Sequence, residues 1–305
     1  MPDSPVTDIP NISAIIATCN SEKFIRPCLD SIFKQGRKDL EVIIVDNGSR
    51  DGTVEIIKEN FPGITLIENT VNLGAAQARN QGINFSKGKW VLALDCDTVL
   101  AGDFLSKIIR IIDRLPSGFG MLQPKILNPD KQTIYSCGIH LAWSRRFYDI
   151  GSKKYDRGQF SRAGEIFGPC SAAALYNRQM LEEVKEDTGY FDRRFFFLVE
   201  DVDLAWRAGK KGWRCMSDPE AVCYHHGESS SLTKEYRQYL NLRNRYLAIL
   251  KNDGALQYLS KLLPLVLYDL PRLFYLMLVN PFVRSSLFNS PFGEKQHDPI
   301  NKKGV

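Results

Sequence analysis

The feature that most constrains the fold is an apolar run that ends in two carboxylates. Residues 90–94 are apolar and of strand length, and Asp95 and Asp97 follow with one residue between them. A short apolar run bounded by polar residues is typical of a strand covered on both faces, as in a parallel sheet. Ligands of open α/β sheets bind beyond the carboxyl ends of such strands. We therefore predict that both aspartates face a site and not the core.

The spacing of these carboxylates indicates either a metal site or a turn. Mg²⁺ and Mn²⁺ usually take one or two protein carboxylates and fill their other positions with water and substrate phosphates. The alternative is a solvated turn, because Asp is common wherever strands end. A motif this short cannot by itself distinguish a metal site from a turn. The surrounding sequence must decide between them.

The first part of the chain alternates between strand and helix patterns. We predict strands at 12–17, 40–45, 64–67 and 90–94, and this alternation with helices is typical of βαβ crossovers in a mostly parallel sheet. Further on, we predict helices at 101–115, 200–209 and 235–250, short strands at 213–216 and 221–224, and no clear pattern between 121 and 167. The helix at 200–209 carries acids in its first turn and is expected to have Gly209 at its C′ position.

The chain divides into three predicted parts: a lead-in at 1–10, an α/β domain at 11–230 and a helical region at 231–305. The last part has two apolar blocks, 262–268 and 273–279, with Asp269, Pro271 and Arg272 between them. Neither block reaches the roughly 18 to 20 apolar residues of a membrane-spanning helix. We expect this region either to lie on a membrane surface or to pack as helices against the α/β domain or a second subunit.

Charge and cysteine content narrow the partners and the compartment. The formal net charge of +5, from 40 basic and 35 acidic residues, is too small to indicate nucleic acid as a partner, but it suits phosphorylated ligands or an anionic membrane surface. Seven cysteines without a Cys-x-x-Cys pair indicate neither a disulfide framework nor a zinc site. The N-terminus shows no signal-peptide pattern. We predict a cytoplasmic protein, either free or peripheral at the inner face of the cell membrane.

Five short motifs occur in order along the chain. They are Ile15-Ile16-Ala17-Thr18-Cys19-Asn20, Val45-Asp46-Asn47-Gly48-Ser49 with Asp51-Gly52-Thr53, Asn72-x-Gly74 with Arg79-Asn80, Asp95-x-Asp97, and Glu200-Asp201-x-Asp203 with Arg207. With these motifs the chain resembles the inverting family 2 glycosyltransferases of the GT-A fold, in particular the bacterial rhamnosyltransferase-like branch. The resemblance implies an α/β fold: a Rossmann-like, mostly parallel sheet flanked by helices, followed by a C-terminal helical appendage.

The resemblance also implies a site for a nucleotide-sugar donor. Thr18 and Asn20 are expected to line the nucleotide pocket, and Asp46 is expected to contact a pyrimidine base. The residues expected beside the diphosphate or the donor sugar are Asn72, Gly74, Arg79, Asn80, Asp95 and Glu200, with Arg79 as the cation that neutralises phosphate. Two structural alternatives stay open, because Asn72 and Gly74 can cap a helix and Asp46 can form an Asx turn.

A metal site is implied by the same resemblance. Asp95, Asp97 and a histidine are expected to hold Mn²⁺ or Mg²⁺. His225, at the end of an apolar strand, is preferred to its neighbour His226 for that role, although a histidine in such a place is often only structural.

The acids at 200–203 are expected to supply the general base. By the family pattern Asp201 takes the proton from the acceptor hydroxyl, with a structural cap as the alternative. Asp203 can instead pair with Arg207, four residues further along the helix, and Glu200 can orient its neighbours.

The implied reaction moves a sugar from a UDP or dTDP donor to a hydroxyl of a glycan or lipid-linked glycan in bacterial cell-surface synthesis. Asp95-Cys96-Asp97 stands where many members of this branch have Asn-Pro-Asp, so the donor sugar stays open. No Gln-x-x-Arg-Trp follows His226; that motif belongs to processive synthases, so the chain is expected to add one or a few sugars. A homo-oligomer formed through the C-terminal helices is an alternative to a membrane partner.

Two other functions fit parts of the sequence. A non-catalytic sugar-nucleotide-binding module could keep Asp46 and the aspartate pair but has no need of Asp201, so the complete Glu-Asp-x-Asp motif argues against it. A nucleotidyltransferase also joins βα units to a metal site. Residues 18–21, however, contain no glycine where its phosphate loop requires one.

Overall fold

The first part of the chain folds as the predicted alternation of strands and helices. A computed structural model describes residues 11–37, 39–230 and 232–288, so the lead-in predicted at 1–10 lies outside the described residues. In order, the elements are β1 (Ile12–Thr18), α1 (Ile25–Phe33), β2 (Leu40–Asp46), α2 (Thr53–Asn60), β3 (Thr65–Glu68), α3 (Ala75–Phe85), β4 (Trp90–Asp95), β5 (Thr98–Leu100) and α4 (Phe104–Arg114). The strands predicted by pattern correspond to β1 to β4.

The stretch without a clear pattern holds several strands that the sequence did not predict. They are β6 (Phe119–Leu127), β7 (Ile134–Ser136), β8 (Ile139–Leu141), β9 (Phe147–Asp149) and β10 (Gly164–Ile166). Every residue of β6 is buried, including Gln123 and Lys125. These polar side chains find distant partners, since Gln123 Oε1 accepts from Cys170 N at 2.6 Å and Lys125 Nζ donates to Asp156 at 2.8 Å. Burial of polar groups that are paired across the chain hides a strand from pattern analysis.

The helix that carries the acids is longer than predicted. The next elements are β11 (Ala173–Asn177), α5 (Arg178–Val184), α6 (Glu200–Lys210) and β12 (Arg214–His225). Gly209 lies inside α6, so its expected C′ position is wrong. Gly212 ends the helix instead, with φ of +85° and its N–H donating to Gly209 O at 3.0 Å. This conformation costs a glycine little.

The two strands predicted at 213–216 and 221–224 are one strand. β12 pairs in parallel with β6, and its register shifts between Asp218 and Val222. The polar residues at this irregularity produce the gap in the apolar pattern that suggested two strands.

Ten of the described strands form one sheet in the order β10-β12-β6-β11-β4-β1-β2-β3, with β5 paired to β12 and β7 to β6. The pairs of β1 with β2 and β4 are parallel, while β11 runs antiparallel between β4 and β6. β8 and β9 form a separate hairpin. The predicted mostly parallel sheet flanked by helices is confirmed. Thr18, Asp46 and Asp95 therefore end neighbouring parallel strands at the same edge of the sheet.

β4 is buried on both faces, as its apolar run predicted. Trp90, Leu92 and Leu94 pack in the core on one face of the sheet, whereas Val91 and Ala93 pack in the core on the other. The alternation follows from the two-residue period of a strand. At Asp95 the strand leaves the core, and its side chain is 28% exposed.

The predicted C-terminal helices are present, and the first of them packs against the α/β domain. They are α7 (Lys234–Asn252), α8 (Ala255–Leu259), α9 (Leu262–Pro264), α10 (Leu270–Val279) and α11 (Pro281–Phe288), with a π-helical stretch at Leu265–Asp269. Val202 and Trp206 of α6 share one apolar cluster with Ala248 and Ile249 of α7. This cluster fixes α7 against the helix that carries the acids.

The division of the tail into two apolar blocks is wrong. Leu262–Val279 forms 18 continuous helical residues with a mean hydropathy of 1.6, of which 11% are buried, so within the described residues one helix has the length and composition of a membrane span. Asp269 does not interrupt the helix, because its carboxylate is buried against Arg245 of α7, with Nη1 to Oδ1 at 2.6 Å. The π-helical stretch before Pro271 accommodates a residue that lacks the N–H of a helical bond.

Candidate active site

A cavity of about 330 Å³ opens at the carboxyl edge of the sheet. The predicted residues that line it are Thr18, Asn72, Gly74, Arg79, Asp95, Glu200, Asp201 and His225. They come from β1, the start of α3, β4, the first turn of α6 and the end of β12. Residues far apart in the sequence therefore meet in one cavity of a size usual for ligand pockets.

Asp95, Asp97 and His225 form one cluster below this opening. One ligand atom from each lies within 4.8 Å of the others. His225 Nε2 is 3.0 Å from Asp97 Oδ1 and 3.5 Å from Asp95 Oδ2. The cluster follows from strand pairing, because β5 follows Asp97 directly and Thr98 pairs with His225 of β12.

Two backbone N–H groups hold one oxygen of Asp97, and the other oxygen faces His225. Oδ2 accepts from the N–H groups of Glu228 at 3.0 Å and Ser229 at 3.1 Å. Oδ1 is buried and accepts no hydrogen bond of good geometry from the described residues. Burial raises the pKa of Asp97, but His225 and the two N–H groups outweigh burial and hold that pKa well below its usual range. The carboxylate therefore remains ionised at neutral pH.

His225 supplies the third potential ligand atom. Burial lowers its pKa, but the Asp95 and Asp97 carboxylates outweigh burial and raise it to about 9. Its Nδ1 has no hydrogen-bond partner in the part of the chain that is described, so packing orients the ring: Tyr135 contacts it edge-on at 4.4 Å between centroids. Two carboxylates and an imidazole are a donor set that suits Mn²⁺, and Mg²⁺ less well. The residues present thus fit a divalent cation.

The neighbouring histidine points elsewhere. His226 is exposed, its N–H donates to the backbone oxygen of Asp97 at 3.1 Å, and its ring lies 5.5 Å from that of Phe24. Of the two candidates, the structure brings His225 to the carboxylates.

Asp201 stands at the cavity wall in the first turn of α6. Its Oδ2 accepts from Ser171 N at 3.1 Å and its Oδ1 from Val202 N at 2.8 Å. Burial raises the pKa of Asp201 to about 6, and the Ser171 N–H and the Arg79 guanidinium oppose that rise. A carboxyl that titrates near neutral pH at a cavity wall is suited to accept a proton.

Arg79 lines the cavity and forms ion pairs with two of its acids, and its expected role at phosphate stays a prediction. The side chain is buried, Nη2 donates to Asp95 at 2.8 Å, and Nη1 contacts Glu200. Burial raises the pKa of Glu200, while Arg79 opposes the rise. Because two carboxylates already balance the guanidinium, little of its charge is left for a phosphate. Glu200 thus has the orienting contact that was expected of it.

Asp203 has the structural partner that the sequence suggested. Arg207 Nε donates to Asp203 Oδ2 at 2.9 Å, and Lys251 and Asn252 of α7 donate to the same carboxylate at 2.9 and 2.8 Å. This buried network joins α6 to α7 and leaves Asp203 outside the cavity lining.

Asp46 and Asn20 shape loops beside the cavity but do not line it. Asp46 Oδ2 accepts from Gly48 N at 3.2 Å and Ser49 N at 3.0 Å, which is the Asx turn given as the alternative. Asn20 has φ of +53°, and its Oδ1 accepts from Arg50 N at 2.7 Å. The pocket-lining role expected of Asn20 is therefore wrong in this structure.

Gly74, and not Asn72, is the N-cap of α3. Gly74 has φ of +86°, and a Cβ there would lie 2.5 Å from the Phe196 ring, so only glycine fits. Asn72 Oδ1 accepts from Gly74 N at 2.9 Å and from Asn47 Nδ2 at 3.0 Å. Asn47 itself lines the cavity, and the sequence analysis did not select it.

Asn80 makes a structural contact with Phe191, and its expected role at the donor stays a prediction. Its side chain is buried, Nδ2 donates to Phe191 O at 2.7 Å, and Oδ1 accepts from Phe191 N at 2.8 Å. The same amide packs where a Cβ on Gly189 would lie, at 2.2 Å. The amide nitrogen and the amide oxygen both bond to the Phe191 backbone, and the buried side chain lies outside the cavity lining.

Other residues that line the cavity were not predicted. They include Tyr148 and Asp149 of β9 and Arg237 and Asn241 of α7. Asp149 lies in the stretch without a pattern. Arg237 and Asn241 are four residues apart on one face of a helix, and that spacing of polar residues could have indicated them.

Comparisons with known proteins address the family and the fold of this chain. Residues 13–185, more than half of the chain, match the family described as Glycosyl transferase family 2. Glycosyltransferase GlyA of Streptococcus pneumoniae serotype 4 is 26% identical over 203 residues, which are 63% of this chain and 29% of GlyA. N-acetylglucosaminyl-diphospho-decaprenol L-rhamnosyltransferase of Mycobacterium tuberculosis is 26% identical over 251 residues, which are 74% of this chain and 78% of that enzyme. The chain thus spans less than a third of GlyA.

Solved structures share the fold. GalNAc-T7, crystallised with UDP, GalNAc and Mn²⁺, superposes with a TM-score of 0.61 and 14% identity over 80% of this chain and 48% of that chain. Identity this low supports the GT-A fold and nothing about ligands. With more than half of its residues matched to the family, the chain belongs to glycosyl transferase family 2 and is a glycosyltransferase of the GT-A fold.

Proposed function

We propose that this enzyme transfers a sugar from a UDP or dTDP donor to a hydroxyl of a glycan or lipid-linked glycan, with inversion at the anomeric carbon. One observation supports the proposal most strongly. Asp95, a potential metal ligand, and the acid Asp201 line the same cavity. Arg79 bridges the two sides through Asp95 and Glu200. One sugar nucleotide can therefore contact both groups at once.

Asp95, Asp97 and His225 are the proposed ligands of Mn²⁺ or Mg²⁺. Such a cation, when bound, neutralises the negative charge that grows on the departing diphosphate. Asp97 is fixed for this role by the N–H groups of Glu228 and Ser229, and His225 is fixed by Tyr135. Ligands that are already oriented lose little freedom on binding a cation.

Arg237 is the proposed cation for the diphosphate, in place of Arg79. It lines the cavity from α7, and among the described residues no carboxylate forms an ion pair with it. The other charged groups of the lining include the acids Asp95, Asp149 and Asp201. A dianionic diphosphate in so acidic a cavity requires positive charge, and Arg237 has a guanidinium that can donate two parallel hydrogen bonds to it.

Asp201 is the proposed general base. As the acceptor oxygen bonds to the anomeric carbon, its proton passes to Asp201 and the bond from that carbon to the diphosphate oxygen breaks. The Ser171 and Val202 N–H groups fix the orientation of the Asp201 carboxylate, so the carboxylate need not reorient when the acceptor arrives.

The acceptor is proposed to enter past the β8–β9 hairpin. Tyr148 and Asp149 of β9 line the cavity on that side, and Tyr148 is 55% exposed. An aromatic face beside a carboxylate suits a sugar ring that is packed on one side and hydrogen-bonded at its edge. No processive-synthase motif follows His226, which supports addition of one or a few sugars.

A membrane surface is the proposed location of the acceptor, with the protein cytoplasmic and peripheral. Leu256, Leu263 and Leu267 are 85%, 64% and 68% exposed. Arg146 and Arg272 lie 4.0 and 5.9 Å from the ring of Tyr268 in the same region. Apolar side chains beside arginines suit an anionic lipid surface. A homo-oligomer through these helices is the alternative partner.

The proposed function is tested with two variants that should fail differently. A panel of UDP- and dTDP-sugars is first screened for Mn²⁺-dependent hydrolysis, in which water takes the place of the acceptor. Asp201→Asn should then bind UDP with wild-type affinity and lose turnover by about 10²- to 10⁴-fold. Arg237→Gln should instead weaken UDP binding by about tenfold, because it removes a charge-assisted hydrogen bond. UDP binding is measured by calorimetry with Mn²⁺ and again after chelation.

Arg284→Gln is the matched control for Arg237, because Arg284 is exposed on α11 and outside the cavity lining. It should leave UDP binding unchanged. Turnover retained by Asp201→Asn would show that another group takes the proton. UDP binding and turnover that survive chelation would remove the metal roles of Asp95, Asp97 and His225.

A further inference from the structure

The backbone just before Glu200 has an unusual conformation. Phe196, Leu198 and Val199 have φ of +63°, +69° and +75°, a region that residues other than glycine rarely adopt and that a β-branched residue such as Val199 strongly disfavours. Such residues persist only where their surroundings hold them, and they are found mostly at functional sites. All three line the cavity. Something outside the segment must therefore hold it in this shape.

Asn244 of α7 makes that contact. Its side chain is fully buried, and Nδ2 lies 2.9 Å from Phe195 O, 2.9 Å from Phe197 O and 2.7 Å from Leu198 O. The N–H groups of this one amide are thus shared among three backbone oxygens. The residues with positive φ direct these oxygens toward a single point. Phe195 O also accepts from Phe197 N at 2.7 Å, so the part-buried oxygens of Phe197 and Leu198 depend most on the Asn244 donor, and losing it would leave them without a protein partner among the described residues.

Segment 196–199 lies next to the acids at the start of α6 and also contacts the Gly74 side of the cavity. At its end the chain enters the first turn of α6, where Glu200 and Asp201 stand. Near its start, Phe196 O accepts from Ala76 N at 3.3 Å, and the Phe196 ring covers Gly74. A change in the segment therefore moves the acid side and the Gly74 side of the cavity together.

We propose that Asn244 is a positioning residue, whose amide keeps segment 196–199 in its left-handed shape and thereby fixes the carboxylate of Asp201. The inference rests on the proposed role of Asp201 as the base. Asn244 itself does not line the cavity, so it acts through the backbone that it binds. α7 is a firm support for this contact, because Lys251 and Asn252 also bind Asp203 of α6.

The test replaces Asn244 by leucine, which has a similar volume and no donor. Asn244→Leu should lower kcat for donor hydrolysis on the order of 10²-fold, the usual effect of a small misplacement of a reacting group, while UDP affinity changes by less than about twofold. Val199→Gly added to Asn244→Leu should recover part of the lost kcat, because glycine adopts positive φ without help. A role in α7 stability alone would not respond to a glycine at 199.

Asn280→Leu is the matched control. Asn280 is also fully buried, and its Nδ2 donates to Glu235 O at 2.8 Å on the same helix α7, away from the acids. Its replacement should lower the thermal midpoint and leave kcat unchanged. The inference is overturned if Asn244→Leu keeps the wild-type kcat, or if both leucine variants lose kcat equally and Val199→Gly restores none of it. Failure of the proposed function appears separately, as turnover retained by Asp201→Asn.

Discussion

At the scale of single residues, the pH dependence follows from the surroundings of Asp201. Burial raises the pKa of its carboxyl to about 6, the nearby Asp149 carboxylate adds to the rise, and Arg79 and the Ser171 N–H oppose it. Glu200, the adjacent acid, is paired with Arg79. The proposed base must be ionised to accept a proton, so with Asp201 in that role kcat should fall as the pH drops through about 6 and should level off above it.

The kcat profile is measured from pH 5 to pH 9 with the active donor, and a variant reports which group is responsible. Asp149→Asn removes a carboxylate that raises the pKa of Asp201, so the acid limb should move to lower pH. An acid limb that stays in place, or moves upward, would show that Asp201 does not control it.

Residue identity could be predicted from sequence only where local context determines it. Asp95 and His225 end strands that can be read from the apolar runs before them, and Asp97 follows Asp95 by two residues, whereas the choice of His225 as a metal ligand came from the family resemblance. The pairings of Arg79 with Glu200 and of Asn80 with Phe191 could not be predicted, because each joins residues more than a hundred positions apart. A motif shows which side chains are present but not which of them the fold has already paired.

At the scale of secondary-structure elements, the buried pair of Arg245 and Asp269 holds the apolar helix on α7. Their side chains are 5% and 1% exposed, and Tyr258 OH also contacts Asp269. Asp269→Asn leaves the Arg245 charge buried without its counter-ion, which should lower the free energy of unfolding by about 3 kcal/mol. Denaturant unfolding of the full chain measures the loss.

Asp103→Asn serves as the comparison, since Asp103 pairs with Lys107 on the surface and exposed pairs contribute little. Its unfolding midpoint should match the wild type. Equal midpoints for both variants would mean that the helix at Leu262–Val279 is not fixed to α7 by this pair.

Secondary-structure elements could be predicted from sequence where a local pattern identifies them, and were missed where it does not. β1 to β4 were predicted because each contains a mainly apolar run of strand length within an alternation of strand and helix patterns. β6 was missed because Gln123 and Lys125 lie inside its buried run, and β7 to β10 are too short to show a period. The tail was read as two blocks because the buried partner of Asp269 is on another helix.

At the scale of the whole molecule, the proposed membrane location depends on how the exposed apolar helix is oriented. Asp269 lies inside the 18-residue apolar helix and is paired to Arg245 of α7. A spanning orientation would pull this buried pair apart at a high cost, whereas a helix lying flat keeps it. α7 also supplies Arg237 to the cavity, so a membrane bound along the apolar helix would lie near a helix that lines the cavity.

We therefore expect the protein to bind vesicles of phosphatidylcholine with phosphatidylglycerol, and to do so less as salt increases, because arginines beside the apolar face attract anionic lipid. Leu263→Asp with Leu267→Asp should abolish flotation with vesicles and leave UDP binding unchanged, since both leucines are exposed and outside the cavity lining. Light scattering on the same samples measures the oligomeric state and so tests the alternative, a homo-oligomer formed through these helices. If the wild type is a dimer that the two aspartates dissociate, and vesicles are not bound, this surface joins two copies of the chain and the membrane assignment is wrong.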